Sequence, residues 1–361
     1  MLADDPRSNH PRGWPAPWTR LAAQALFILA APSSKPAALM KLSTSVVASV
    51  SLLGLLASPA LLADSALAVR NEASLSRATA LPILGNSQLL HDGEQAYGLR
   101  VDWSNEYVNA QNARESLLID AESQRISFGF RQGLAPGVEI GIDVPLLITG
   151  GGVLDNVIEN WHDAFGLPNG GRQQRPRNRY AVQYVKDGQT LLDVHDSSTD
   201  FGDVELNAGF ALRDDIAFRA MAKLPTGRDS LLLGGTTGGA IWFDYNPFAS
   251  LTHWFGYVSA GVSYNEAADQ LGGQQNPLVG VGGVGVGYRL IPALALITQF
   301  NVQTKLYKGS TLNALDNPGG QLAFGGRISF NRRLALDLGV QEDVLLSSSP
   351  DFSIHIGVSY R

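Results

Sequence analysis

Apolar and polar residues alternate strictly along many short stretches of the chain. Tyr97, Leu99, Val101 and Trp103 are each followed by a glycine or a polar residue, and the same period returns up to the last stretch, 352–360. A period of two residues is typical of a β-strand with one apolar and one polar face. The pattern therefore predicts strands whose two faces meet different surroundings.

Twelve such stretches follow one another. They lie near residues 95–105, 115–132, 138–148, 202–213, 216–226, 238–251, 255–265, 278–290, 293–304, 320–331, 333–343 and 351–361. Short connections alternate with long ones, as in transmembrane barrels with an even number of strands. A soluble sandwich has no reason to sort its loops by length. The sequence thus predicts an all-β fold: an antiparallel transmembrane β-barrel of about twelve strands over residues 95–361.

Two of the stretches fit the pattern poorly. The apolar phase changes between Ala121 and Ile126, which predicts a β-bulge. Pro247 falls inside the stretch 238–251, where it would leave a ladder hydrogen bond unmade. An error of one hairpin would leave ten or fourteen strands, and both alternatives stay open here.

The residues before the barrel contain a secretory signal. Met40 and Lys41 precede an apolar run from Val46 to Leu56, and residues 66–68 read Ala-Leu-Ala. A basic start, an apolar run and an Ala-x-Ala site in this order are typical of a cleaved signal peptide.

This signal divides the amino-terminal part of the chain. We expect residues 1–39 to be a non-native or untranslated extension and residues 40–68 to be the signal peptide, with cleavage after Ala68. Residues 69–94 would then be a periplasmic N-terminal segment or a plug in the lumen.

Residues 149–201 are the longest stretch outside the strand pattern. Apolar residues recur at helical spacing over 153–165, which predicts a short amphipathic helix in this extracellular loop. A solute or a metal could bind to the polar face of that helix, although solvation alone also explains it, and we assign no metal there. The loop-motif candidates are Asp155, Glu159, His162 and Arg172.

In a barrel with lipid outside, the polar faces of the strands point into the lumen. The charged residues of these faces are the candidates for a solute path: Arg100, Asp102, Arg125, Arg131, Glu139, Asp143, Asp203, Glu205, Arg219, Lys223, Arg327 and Asp337. The alternative is a set of salt bridges that fills a narrow lumen, and both interpretations stay open. The mixed signs predict no ion selectivity.

The composition narrows the classes of function. The 361 residues include no cysteine, and the net charge is −6. Without cysteine there is no disulfide, zinc-thiolate site or thiol nucleophile. A negative net charge disfavours a nucleic-acid partner, and no motif indicates a cofactor.

Several motifs lie in and beside the long loop. They are Asp120-Ala121-Glu122, the stretch from Gly151 to His162, Phe165-Gly166-Leu167-Pro168 with Gly170 and Arg172, Gly202-Asp203, and Lys223-Leu224-Pro225-Thr226-Gly227. Together they resemble a family of proteobacterial outer-membrane proteins with a domain of unknown function. The resemblance covers most of the mature chain. It implies an outer-membrane barrel and supplies no known activity.

These features predict an exported protein of the Gram-negative cell outer membrane, not an enzyme. Its partners would be outer-membrane lipid and lipopolysaccharide, the barrel-assembly machinery and a small solute. A passive channel or transporter for small solutes is the leading hypothesis. The alternatives are a structural or surface-interaction barrel with a closed lumen and, with least support, an outer-membrane hydrolase, for which the chain has no Gly-x-Ser-x-Gly motif.

Overall fold

Fifteen β-strands lie in the residues that the computed structural model describes, which are 65–154, 178–268, 273–344 and 348–361. In chain order they are β1 (Gln95–Gln111), β2 (Glu115–Ala135), β3 (Val138–Gly150), β4 (Ala181–Lys186), β5 (Gln189–Val194), β6 (Ser198–Phe201), β7 (Glu205–Arg213), β8 (Ile216–Lys223), β9 (Gly238–Tyr245), β10 (Trp254–Asn265), β11 (Leu278–Ile291), β12 (Leu294–Gln303), β13 (Gly319–Ser329), β14 (Leu334–Asp343) and β15 (Phe352–Tyr360). Single helical turns lie at Asp229–Leu231 and Asn313–Asp316. Within the described ranges, no helix is long and apolar enough to cross a membrane.

Twelve of the strands close into a barrel. β1 pairs with β2 on one side and with β15 on the other, β2 also pairs with β3, β3 pairs with β7, and from β7 to β15 each strand pairs with the next. All of these pairs are antiparallel. Closure leaves the barrel without an unpaired edge. The predicted all-β barrel of twelve strands is confirmed, and the alternatives of ten or fourteen strands are wrong.

The connections differ in length between the two ends of the barrel. At one end, called the short-turn end below, strands are joined by residues 136–137, 214–215 and 292–293. The turn between β9 and β10 is the longest at this end. It contains Pro247, because β9 already ends at Tyr245. The opposite end, called the long-loop end, carries β4–β6 and the other long connections. The predicted sorting of loops by length is observed in most connections. The exceptions are residues 112–114, which join β1 and β2 at the long-loop end, and residues 246–253, which join β9 and β10 at the short-turn end.

The outer surface of the barrel is apolar. Phe128 and Ile356, for example, point outward and are 50% and 41% exposed. Near the short-turn end Trp254 and Tyr288 pair with their ring centroids 4.7 Å apart. An apolar band bordered by aromatic residues is typical of a barrel surface that contacts lipid.

The predicted bulge over residues 121–126 is wrong. β2 pairs with β1 in unbroken register through this interval. What changes is the character of the inward face of β2. Near the long-loop end Leu117 and Ile119 are buried in an apolar cluster, whereas Ser123 and Arg125 are buried further along the strand outside that cluster. The change of apolar phase thus marks a change of surroundings along one regular strand.

Two stretches predicted as loops contain strand. Residues 106–114 belong mostly to β1, which ends at Gln111. In the predicted 149–201 loop, β4 pairs with the outer part of β2 and β6 with the outer part of β3. These short strands extend the wall at the long-loop end. The helix predicted over 153–165 lies almost wholly outside the described residues.

Residues 65–94, called the inner segment below, form no strand and run through the barrel interior in both directions. The segment starts beside β13 near the short-turn end. It then reaches the long-loop end, where the Tyr307 hydroxyl donates to the Leu75 carbonyl at 2.5 Å. On its way back the segment lies beside its own beginning, because the Ala66 N–H donates to the Gly85 carbonyl at 3.0 Å. Most of its side chains are buried.

The beginning of the inner segment fits the barrel wall closely. Leu67 is fully buried. Its N–H donates to the Gln299 side chain at 2.8 Å, and its carbonyl accepts from the same side chain at 3.2 Å. Cleavage after Ala68, which stays a prediction, would remove these contacts.

A buried apolar cluster covers the interior at the long-loop end. It joins Leu75 of the inner segment to Tyr184 of β4 and to Tyr307 and Leu315 of the connection between β12 and β13. Burial raises the pKa of the Tyr307 hydroxyl. The interior is therefore separated from the long-loop side by packed side chains.

If the apolar surface faces lipid, a charge placed there should cost stability according to its depth. Leu338 and Ile356 are register partners halfway along β14 and β15 and are 44% and 41% exposed. We expect Leu338→Arg to lower the free energy of unfolding by about 2–4 kcal/mol. The same change at Leu212, beside a short turn, should cost about 0–1 kcal/mol. Urea titrations in lipid vesicles measure both values, and equal costs at the two depths would contradict the assignment.

Candidate functional site

The twelve charged residues predicted to line the lumen all lie in the barrel interior. Eleven lie in strands of the barrel, and Asp203 lies just before β7. Nine are buried, and Arg100, Arg131 and Arg327 are partly buried. The inner segment contacts several of them, such as Glu205 and Glu139, and seven of the twelve line the cavity described below. Whether they contact a solute stays a prediction.

The first charged cluster joins the inner segment to the middle of the wall. Glu205 accepts from Arg70 at 2.8 Å and from Arg125 at 3.2 Å. Glu72 lies 3.3 Å from Arg70 and 3.7 Å from Arg125. Two guanidinium groups thus alternate with two carboxylates, so that each buried charge has opposite neighbours, as a low-dielectric interior requires.

Arg70 and Glu72 were not among the residues predicted from the sequence. They follow directly on the expected cleavage site, in a stretch with neither the strand nor the helix period. The one available signal is a pair of opposite charges two residues apart. That signal does not identify a partner, because the contacts to Arg125 and Glu205 join distant parts of the chain.

The second cluster surrounds Glu139 near the short-turn end. Arg131 donates to this carboxylate at 3.2 Å and Arg219 at 2.8 Å. The Leu90 N–H of the inner segment donates to the other carboxylate oxygen at 2.9 Å. Arg219 lies 3.3 Å from Asp244 as well. Arg131 therefore shares its carboxylate with a second cation.

Two further pairs lie on neighbouring strands. Arg327 holds Asp337 through two hydrogen bonds of 2.7 Å and also donates to Ser65 at 3.1 Å. Asp102 lies 2.7 Å from Nδ1 of His355, which is 1% exposed. The other ring nitrogen of His355, Nε2, has no hydrogen-bond partner among the described residues. A further pair, Arg100 and Asp143, is 2.7 Å apart.

The motif residues Gly202-Asp203 and Lys223–Gly227 come together at the long-loop end of β7 and β8. The Lys223 ammonium is 2% exposed and binds the Asp203 carboxylate and the Thr236 carbonyl. Asp203 also accepts the N–H groups of Gly227 and Gly235, each at 2.8 Å. One buried carboxylate thus ties together two strand ends and the loop between β8 and β9.

A second motif pair lies on the outside of the barrel. Glu122 accepts the N–H groups of Val153 at 2.9 Å and Leu154 at 2.7 Å. Gly152 has φ +62°, and a Cβ there would come within 1.8 Å of the Glu122 carboxyl carbon. Glu122 therefore anchors the beginning of the long loop, and only glycine fits at position 152.

The loop-motif candidates Asp155, Glu159, His162 and Arg172 lie outside the described residues. Within the described ranges, no group of His, Asp or Glu side chains is arranged to hold a metal ion. His195 lies 2.8 Å from Asp193 at an exposed position.

A cavity of about 230 Å³ remains in the short-turn half of the barrel. Its lining extends from Ala96 and Arg361 at the short-turn end to Asp143 and His355 further inside. Burial lowers the pKa of the Arg361 guanidinium, and the nearby positive charge of Arg131 lowers it further. The interior is thus filled toward the long-loop end and leaves space toward the short-turn end.

Comparison with solved structures agrees with this architecture. An outer-membrane channel of Pseudomonas putida F1 (COG4313) superimposes with a TM-score of 0.51 at 12% identity, over 76% of this chain and 97% of that chain. The toluene transporter TodX of P. putida reaches 0.39 at 11% identity over 81% and 98%, and a FadL homologue of Pseudomonas aeruginosa 0.40 at 9% over 82% and 99%. The first of these similarities shows the fold alone, and the two lower TM-scores support no inference. The fold is that of an outer-membrane β-barrel.

Sequence comparison assigns the family. Residues 38–361 match the family described as "Protein of unknown function (DUF3187)". The chain belongs to this family, which confirms the resemblance to an uncharacterised barrel family. No curated protein matches the chain significantly.

The buried Lys223–Asp203 pair should be far more important for stability than an exposed pair. Lys223→Met leaves the buried carboxylate without its cation and should lower the free energy of unfolding by about 3–5 kcal/mol. Adding Asp203→Asn should restore part of the loss, because an amide oxygen can still accept from the two glycine N–H groups.

The matched control is Arg114→Met. Arg114 lies 2.6 Å from Asp187, and the two side chains are 72% and 48% exposed. Its removal should leave stability unchanged within error. Urea unfolding followed by tryptophan fluorescence gives the free energies of unfolding of the unaltered protein and of the three variants. A double variant no more stable than Lys223→Met would show that the charge pair does not determine the loss.

Proposed function

We propose that the protein is an outer-membrane channel for small solutes whose lumen is closed, in the conformation described, by its own inner segment. The short-turn end would face the periplasm and the long-loop end the exterior, as in other barrels of this kind. Outer-membrane lipid and lipopolysaccharide would surround the apolar band, and the barrel-assembly machinery would insert the chain.

One observation carries the proposal: the barrel does not need the inner segment for its backbone pairing. In the described part of the chain, no backbone-to-backbone hydrogen bond joins residues 65–90 to a strand. The contacts involve side chains of the wall: Arg70 pairs with Glu205, and the Gly85 N–H donates to the Asp244 carboxylate. Water can replace such contacts. Movement of the segment would therefore leave the ladder of the barrel intact and uncover a charged wall.

A second candidate function is a structural or surface-interaction barrel that never opens. It is favoured by the apolar cluster at the long-loop end, in which Tyr184 is fully buried and Leu75 is 6% exposed. Opening would expose these apolar side chains to water at a cost in free energy.

A hydrolase has less support. Asp102 and His355 have the arrangement of an orienting acid and a base. However, no serine hydroxyl among the described residues donates to His355 Nε2, and a nucleophile has to lie within hydrogen-bond reach of its base.

The channel can be tested with a reducible lock on the inner segment. A Cβ placed on Gly238 of β9 would lie 2.9 Å from the Cβ of Ala80 and 2.9 Å from the Tyr264 carbonyl oxygen of β10. Disulfides need about 3.5–4.5 Å between Cβ atoms, so a bridge in the Ala80→Cys/Gly238→Cys variant requires small shifts both of the inner segment and of β9 against β10. The chain has no other cysteine. In planar bilayers the oxidised variant should give no conductance steps, and reduction should restore the steps of the unaltered protein.

The two single-cysteine variants are the controls, and thiol titration verifies the bridge. Equal conductance in the bridged and the reduced protein would contradict gating by the inner segment. Should the unaltered protein never conduct, a variant lacking residues 70–90 decides between the two candidate functions. Conductance in that variant would identify the segment as the block, and its absence in a correctly assembled barrel would favour the closed barrel.

A further inference from the structure

The cavity at the short-turn end is bordered by glycines that the backbone does not require. Gly98, Gly129 and Gly357 lie on the adjacent strands β1, β2 and β15 and line the cavity. None of them has a positive φ. A Cβ on Gly98 would meet no atom closer than 3.9 Å. A larger side chain would therefore fit at Gly98 without strain, whereas a Cβ on Gly129 or Gly357 would lie 3.2 Å from Asp143 or 3.1 Å from His355.

The charges around this space favour an anion. Its carboxylates have cationic neighbours: Asp337 is held by Arg327, Glu205 by two arginines, and Asp143 by Arg100 through Oδ2. The second oxygen of Asp143, Oδ1, has no hydrogen-bond partner among the described residues. The cations nearer the short-turn end are less well balanced. Arg131 is 31% exposed and shares Glu139 with Arg219. The Arg361 guanidinium has no salt bridge among the described residues, although Glu94 and Glu139 act on it electrostatically.

Two buried nitrogen atoms at the inner end of the cavity have no hydrogen-bond partner among the described residues. His355 lines the cavity and is 1% exposed, and its Nε2 has no hydrogen-bond partner among the described residues. Nε of Arg100, which also lines the cavity, is likewise without one in the described part of the chain. Buried polar atoms without a partner are unusual because they are costly to leave unsatisfied.

Apolar side chains form another part of the lining. Leu84 of the inner segment, Met221 of β8 and Trp242 of β9 contribute to it. A flat or branched hydrocarbon body could pack against these side chains and the glycine wall, while an anionic head reaches the arginines. Mostly apolar walls with a few convergent polar groups are typical of small-molecule sites.

We propose that this cavity binds a small organic carboxylate with an apolar body, the carboxylate directed to Arg131 and Arg361 and the body to Met221, Trp242 and the glycine wall. The inference that such carboxylates are the substrates of the channel rests on the proposed function. Binding itself does not require conduction.

Isothermal titration of the purified protein in detergent tests the site with benzoate as the probe and benzamide as its neutral counterpart. Titration into micelles alone is subtracted. Benzoate should bind saturably, and benzamide at least tenfold more weakly. Arg131→Gln/Arg361→Gln should weaken benzoate binding at least tenfold. Gly98→Leu should abolish binding by filling the cavity.

Two matched controls lie away from the cavity. Arg213→Gln changes an exposed arginine that pairs with the partly buried Asp215 near the same end of the barrel. Gly282→Leu adds the same side chain at an outward position of β11, where a Cβ would meet only ordinary contacts at 3.4 and 3.6 Å. Both should bind benzoate like the unaltered protein. Heat-modifiable migration in gels verifies that each variant is folded.

Equal affinity for benzoate and benzamide would overturn the proposal, as would full benzoate binding in a folded Gly98→Leu variant. An equal loss of binding in the controls would also overturn it. The outcome is separate from that of the channel. Binding without conductance would sustain the site and refute the channel, whereas conductance without binding would sustain the channel and refute this site.

Discussion

In the hydrocarbon layer every backbone N–H and C=O must find a partner within the protein, because lipid offers none. A sheet can satisfy this condition only by pairing its first strand with its last, as β1 does with β15 through nine register partners. Closure then creates an interior. Because side chains alternate along each strand, every second side chain points into that interior, and most of these are polar. The content of the interior is thus set by the same constraint that closes the wall.

The interior of this barrel is filled by its own chain. The inner segment brings Arg70 and Glu72 to the level of Arg125 and Glu205, where four charges of alternating sign lie within salt-bridge distance. Buried ion pairs add little net stability, but removing one partner is costly. Such a network therefore selects one position of the segment more than it strengthens the fold. This property suits the role of a displaceable closing element in the proposed channel.

The strands could be predicted from the sequence because alternation is visible residue by residue, and lipid enforces it on the outer face. The bulge predicted in β2 was wrong because the inward face of this strand is not polar throughout. Leu117 and Ile119 point inward but lie in the apolar cluster at the long-loop end. β4–β6 were missed because six residues or fewer give too short a pattern. The inner segment has no period at all, so its course depends on contacts between residues far apart in sequence.

The candidate site was predicted only in part for the same reason. The charged residues of the strands could be assigned to the interior from alternation, but their partners could not. Lys223 and Asp203 meet because β7 and β8 form a hairpin, and Glu122 meets Gly152 because β2 and β3 pair. The cavity depends on the absence of side chains at Gly98 and Gly357, which has no signature in a sequence rich in glycine.

The central claim is that the inner segment occupies the barrel interior in one bonded position. Hydrogen exchange of the protein in lipid nanodiscs, read by mass spectrometry on peptides from residues 69–90, tests it most directly. The N–H groups of Ala80, Gly85 and Leu90 donate to Asn265, Asp244 and Glu139 of the wall. The account predicts that these amides exchange slowly, on the time scale of the amides in β1 and β15. Exchange as fast as that of an unstructured peptide, beside protected strands, would contradict it.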